Sequence, residues 1–137
     1  MKIYVGHSKD MDYLNDLYLP IRNDSFFDKY EVILPHEKSG KISNDRDSYK
    51  TVDLFIFECS IPATGLGIEL GWAYDDNKKI YAIYRSDKKV SESVKCVTNN
   101  IYMYKDINDM LNYIKKIIIM NEDEWLEIIF LWRFRYE

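Results

Sequence analysis

The sequence predicts an α/β fold, a three-layer sandwich in which helices cover both faces of a central, parallel, five-stranded sheet. Three observations lead there. Five short apolar runs recur along the 137 residues, and most are separated by stretches long enough to cross over to a parallel neighbour. One run, Leu54-Phe55-Ile56-Phe57, is apolar at every position, as a central strand buried on both faces must be. The last third of the chain carries Met110, Leu111, Ile114, Ile117 and Ile118 at the spacing of one helical face.

Taken in order, residues 2–5 read as the first strand, ended by Gly6. Asp10 or Asp12 caps a helix bearing Leu14, Leu17 and Tyr18, which Pro20 interrupts or ends. Residues 30–34 form the second strand, stopped by Pro35, and the polar residues 36–44 with Gly40 form a loop. A short helix over 45–51 precedes the third strand, 52–57. The loop 58–67 contains Pro62, Gly65 and Gly67, and a helix runs from Ile68 to about Asn77. Residues 79–84 are the fourth strand, 85–100 a polar loop, and 101–104 the fifth strand. The final helix starts at Asp106 or Asn108. With no repeat and no linker, residues 1–137 read as one flavodoxin- or Rossmann-like domain, in which 120–137 is an apolar C-terminal extension.

Composition removes several function classes. Apolar residues at 47% and charged residues at 31% exclude a disordered chain. Lys plus Arg number 19 against 23 Asp plus Glu, a net charge of -4, so a nucleic-acid partner is not expected. No apolar stretch approaches the roughly 18 residues of a membrane helix, and the N-terminal one is too short for a secretory signal. Cys59 and Cys96 match no zinc or redox spacing, so a reduced, cytoplasmic protein is the simplest reading; neither a metal nor a cofactor is expected.

In an open parallel sheet, ligands bind beyond the carboxyl ends of the strands. Two segments fall there: Gly6-His7-Ser8 and the loop 60–67. Glu69 is expected in the first turn of the following helix, where the positive helix end favours an ionised carboxylate. Gly65 and Gly67 would let a ligand approach the backbone. A carboxylate beside such an opening suits a nucleophile or an oxocarbenium stabiliser. Asp53 reads as a turn acid, Glu58 as a solvent-facing carboxylate, His7 as a loop hydrogen-bonder, and Trp72 and Tyr74 as packing residues.

The stretch 45–73 resembles the nucleoside 2-deoxyribosyltransferase family and its relatives that hydrolyse 2'-deoxynucleoside 5'-phosphates. In that family an acidic residue begins a short helix, an Ala-Asp pair opens an apolar strand, and a Pro-containing loop leads into G-x-G-x-E-L-G. Here Asp45 precedes Val52-Asp53 and Leu54 to Phe57, then Ser60-Ile61-Pro62, then Gly65-Leu66-Gly67-Ile68-Glu69-Leu70-Gly71. Carried over residue by residue, the resemblance implies that Glu69 attacks C1' of the sugar. It implies further that Asp45 helps protonate the departing base and that Tyr4 positions the nucleophile. Gly6, Ser8, Pro62, Thr64, Gly65 and Gly67 become substrate-binding candidates, joined by Ser91 and Ser93 in the loop after the fourth strand. Ala63 stands where the nucleotide-hydrolysing branch has a serine, with Thr64 adjacent. The implied activity is cleavage of the N-glycosidic bond of a (deoxy)nucleoside or nucleotide, with transfer of the sugar to another base or to water.

Two other functions compete. Gly6-His7-Ser8-Lys9-Asp10 resembles the start of Toll/interleukin-receptor-like domains, whose bacterial members cleave NAD with a glutamate. A non-catalytic nucleotide-binding module is the third reading. Trp125, Ile128, Ile129 and Trp132 form a helical stripe that is expected to cover the domain's own core or a subunit contact, most simply in a homodimer or higher homo-oligomer.

Overall fold

The computed structural model describes residues 1–37 and 46–136. Its strands are β1 (Lys2–His7), β2 (Glu31–Ile33), β3 (Leu54–Glu58), β4 (Lys79–Arg85) and β5 (Ile101–Tyr104), in the sheet order β2-β1-β3-β4-β5. All four neighbouring pairs are parallel, as the apolar runs predict. The first helix, α1, is π-wound over Leu14–Tyr18 and α-wound over Leu19–Arg22. The others are α2 (Arg46–Tyr49), α3 (Thr64–Asp75), α4 (Glu92–Lys95) and α5 (Ile107–Tyr136).

Strand alternation builds the layers. Ile3, Val5, Leu54 and Ile56 point to one face and pack with Leu17 and Ile21 of α1 and with Met110, Ile114, Ile117 and Ile118 of α5. Tyr4, Phe55, Phe57 and Ala82 point to the other face and meet Tyr49 of α2, Leu66 and Leu70 of α3 and Val94 of α4. The result is the predicted α/β sandwich with a parallel five-stranded sheet.

Four local expectations are corrected. The first strand runs through Gly6 to His7, because Gly6 pairs with Phe57 and His7 with Glu58. Pro20 does not end its helix. The preceding turn is widened, with the Leu19 amide bonded to the Leu14 carbonyl, and Pro20 falls in the first turn of the α-wound part. A proline there withdraws no needed amide. The helix expected from Ile68 begins at Thr64, so Gly65 and Gly67 are helical rather than loop residues. Each glycine costs roughly 1 kcal/mol of helix propensity. Burying Leu66 and Leu70 returns about 1.5–3 kcal/mol apiece, which outweighs that cost. The polar loop after β4 also contains a helical turn, α4.

α3 ends in a left-handed cap. Asn77 has φ 54°, and the Lys78 and Asn77 amides return to the Ala73 and Tyr74 carbonyls at 3.0 and 3.1 Å. α5 spans 30 residues without a break, and its second half leaves the domain. The tail therefore does not cover the domain's own core. Among the described residues, no helix is long and apolar enough to cross a membrane.

Candidate active site

The strand order reverses between β1 and β3, since β1 connects outward to β2 and the chain then returns to β1's other side. A crevice at the carboxyl ends of these strands is the expected ligand position. An open cleft of about 660 Å³ lies there, and its wall includes His7, Lys9, His36, Thr64, Glu69 and Trp72.

Glu69 sits in the second turn of α3, so the helix end does not govern its charge as expected. Two tyrosines do. Tyr4, the third residue of β1, donates its hydroxyl to Glu69 Oε1 at 3.1 Å. Tyr49, from α2, donates to the same oxygen at 3.0 Å. The two hydroxyl oxygens are 3.1 Å apart. Each hydroxyl carries one hydrogen, so with Glu69 ionised both go to Oε1. Burial raises the Glu69 pKa above the usual carboxylate range, and the tyrosine hydrogen bonds oppose that rise. Burial, first, and then the neighbouring Glu69 charge push the Tyr4 phenol far up, so it stays protonated and remains a donor.

Gly6 makes room for the second oxygen. A β-carbon there would lie 2.5 Å from Phe57 Cδ1 and 3.2 Å from Glu69 Oε2. With Oε1 tied down by two donors, Oε2 sits over the bare backbone of Gly6 at the cleft. Among the described residues Oε2 accepts no hydrogen bond, and a carboxylate held through one oxygen can act as a nucleophile, a base or an electrostatic stabiliser.

Several sequence candidates cluster with Glu69 and others do not. Tyr4 and Gly6 flank the carboxylate, while Pro62, Thr64 and Gly65 line the cleft. Ala63, the N-cap, has no side-chain oxygen to offer the first-turn amides of α3. Ser8 is buried, and its Oγ accepts the Asp10 amide at 3.1 Å, so it shapes the turn instead of facing the cleft. Gly67 stands on the exposed face of α3, away from the cleft wall. Ser91 and Ser93 belong to the N-cap and first turn of α4 and are not part of that wall. Asp45 lies outside the described residues. Asp53 is a turn acid as expected, accepting the Lys2 amide at 2.7 Å at the opposite edge of the sheet.

Glu58 is buried, not solvent-facing. It accepts the Ser60 amide at 2.6 Å, and Ser60 Oγ in turn accepts the Arg85 amide at 2.8 Å, which ties the β3–α3 connection to β4. Burial raises its pKa.

Sequence reasoning missed three contributors. Tyr49 carries no periodic signal, and only the fold brings it to Glu69. Trp72, read as packing, lines the cleft. The Arg46 guanidinium lies 5.5 Å from its ring and holds Asp76 through two bonds of 2.6 and 2.9 Å. That clamp docks α2, and so Tyr49, onto α3.

The third contributor is the His7 wall. The His7 Nδ1–H donates to the Ser8 carbonyl at 2.8 Å, so Nε2 accepts the Tyr18 hydroxyl at 2.6 Å. Tyr18 Oη accepts the His36 amide at 3.0 Å. Burial, helped by nearby His36, pushes the His7 pKa down to about 4, so the ring is neutral near pH 7. Tyr13 stacks on it at 4.7 Å. Among the described residues, no group of three His, Cys, Asp or Glu side chains is arranged to hold a metal ion.

Among solved structures, the chain is similar to a CMP N-glycosidase, BcmB, from Clostridium botulinum. The TM-score is 0.55 and the identity 23%, over 83% of this chain and 98% of that one. At that identity the likeness speaks for the fold alone. No protein-family model matches the chain, and no curated protein matches it.

Proposed function

We propose that the protein cleaves the N-glycosidic bond of a nucleoside or nucleotide, with Glu69 as the nucleophile. The observation that carries this reading is the Glu69 carboxylate, with Oε1 held by Tyr4 and Tyr49 and Oε2 over Gly6 at the cleft. In the proposed reaction Oε2 attacks C1' as the bond to the base lengthens, and the sugar passes through an oxocarbenium-like state to a covalent glycosyl-Glu69 ester. The tyrosine donors keep the half-buried carboxylate ionised before attack and hold it in line. The base departs with a proton, a role that the family resemblance assigns to Asp45. Water or a second base then takes the sugar from Glu69.

The first-turn amides of α3, with Thr64 and Gly65 on the cleft wall, offer a seat for a substrate phosphate. The activity of the similar structure, a CMP N-glycosidase, is consistent with a nucleotide substrate. Incubation with nucleosides, their 5'-monophosphates and NAD, with and without an acceptor base, tests the reading by chromatography of released bases. Base release by wild type and none by Glu69→Gln is the expected result. Release of nicotinamide from NAD alone, or turnover unchanged in Glu69→Gln, overturns it.

A further inference from the structure

Residues 125–136 of α5 belong to neither core cluster nor to the wall of the cleft. The helix begins just after β5, and by Glu124 it has reached Lys79, the first residue of β4, at 3.2 Å. Glu122 accepts the hydroxyl of Tyr30, just ahead of β2, at 2.6 Å. The helix therefore leaves the domain at the amino-terminal edge of the sheet, opposite the cleft, with these two contacts fixing its exit. Beyond them every large apolar residue from Trp125 to Tyr136 is exposed, from 37% at Ile129 to 81% at Phe134. An apolar stripe left bare along a helix calls for a partner to cover it.

We propose that residues 122–136 pair antiparallel with the same segment of a second copy of this chain. The charge layout selects both the partner and the direction. The segment is acidic where it starts, at Glu122, Asp123, Glu124 and Glu127, and basic where it ends, at Arg133 and Arg135. A parallel pair would set like charges side by side, while an antiparallel pair lays each acidic end on a basic one.

The register follows from 3.6 residues per turn. Trp125, Ile128, Ile129 and Trp132 make one stripe, with Glu124 and Arg135 on one flank and Glu122 and Arg133 on the other. A two-fold axis between Ile128 and Ile129 sets Trp125 against Trp132 of the second copy. Flanks of the same side meet in an antiparallel pair, so Glu124 faces Arg135 and Glu122 faces Arg133. These three contacts and their reciprocals close under one two-fold operation. Phe130 and Phe134 remain on the far face, with ring centroids 5.7 Å apart, where two such pairs can stack. Because the tail leaves at the edge opposite the cleft, pairing does not complete the Glu69 site.

The test uses the full chain in light scattering and native mass spectrometry. Wild type is expected as a dimer or a dimer of dimers. Arg133→Glu/Arg135→Glu and Glu122→Arg/Glu124→Arg are each expected to run as monomers, and mixing them in equal amounts is expected to restore an assembly containing both. Should the glutamate variant fail to fold, Trp132→Glu serves instead. It is expected as a monomer with the wild-type circular dichroism spectrum. A monomeric wild type overturns the proposal, and so do charge-reversed variants that each assemble as well as wild type. Wild-type monomers that float with phosphatidylcholine vesicles overturn it in favour of a lipid surface.

Discussion

Replacing Gly6 by alanine adds a single methyl group at the point where the sheet, the aromatic core and the carboxylate meet. The new β-carbon would lie 2.5 and 2.7 Å from Phe57 Cδ1 and Cε1, well inside contact distance. Phe57 cannot swing aside, because it is fully buried and stacked on Phe55 at 5.6 Å with an interplanar angle of 7°. Overpacking of this kind costs about 1–3 kcal/mol. For a chain of this length that lowers the melting temperature by roughly 3–10 °C. The same carbon stands 3.2 Å from Glu69 Oε2, so that oxygen must move or be blocked. A misplacement of about 1 Å costs on the order of 100-fold in rate. Gly71→Ala is the control. Among the described residues no neighbour lies within 4 Å of its added carbon, and it is helical, so it should stabilise by about 0.4–1 kcal/mol and keep its activity. Thermal unfolding and base-release rates of the two variants decide the matter. A Gly6→Ala protein with wild-type melting and turnover would refute the packing argument and the placement of Oε2 together.

Tyr49→Phe removes one of two donors that lower the Glu69 pKa against burial, so the acid limb of kcat/KM should move to higher pH. The loss should be on the order of tenfold on that limb and smaller on the plateau, since a hydrogen bond to a charged group is worth about 1.5–3 kcal/mol and Tyr4 still donates. An unmoved acid limb would remove Tyr49 from the site. His7 has a folded pKa of about 4 against 6.5 unfolded, so the unfolded chain binds more protons between those values. Its contribution to stability is present above about pH 6.5 and fades as the pH falls to about 4, by at most about 3 kcal/mol. Glu58 and Glu69, with raised pKa values, oppose that slope, so the comparison of wild type with His7→Gln isolates it. Melting temperatures of the two proteins should converge toward pH 4, and parallel curves would count against a neutral buried His7.

The sheet was readable because its strands are short apolar runs whose burial on both faces leaves no competing pattern. The resemblance and the rule for strand ends both point to the cleft, where the structure brings Glu69, Tyr4 and Gly6 together. Glycines misled the reading of α3. Their low propensity marks a loop, yet Leu66 and Leu70 packing on the Phe55 and Phe57 face carries the helix back to Thr64. Tyr49 was invisible because its partner Tyr4 is 45 residues away and α2 is only four residues long, with no periodicity to read. The His7, Tyr18 and His36 chain is likewise a tertiary product. Ser8 shows the reverse error, a polar residue at a strand end whose hydroxyl the backbone has already claimed. The tail stripe was legible as apolar helix. Its exit at the edge away from the cleft was not, since that depends on the Tyr30 and Lys79 contacts.

The most direct test of Glu69 as nucleophile is the mass of the enzyme itself. Wild-type protein is mixed with the substrate found in the base-release panel, quenched in acid within the first turnover and digested for peptide mapping. The expected result is a glycosyl adduct on the peptide that spans residues 64–75, localised to Glu69 and absent from Glu69→Gln. Base release by wild type with no adduct on that peptide, or with an adduct on another carboxylate, would contradict the account.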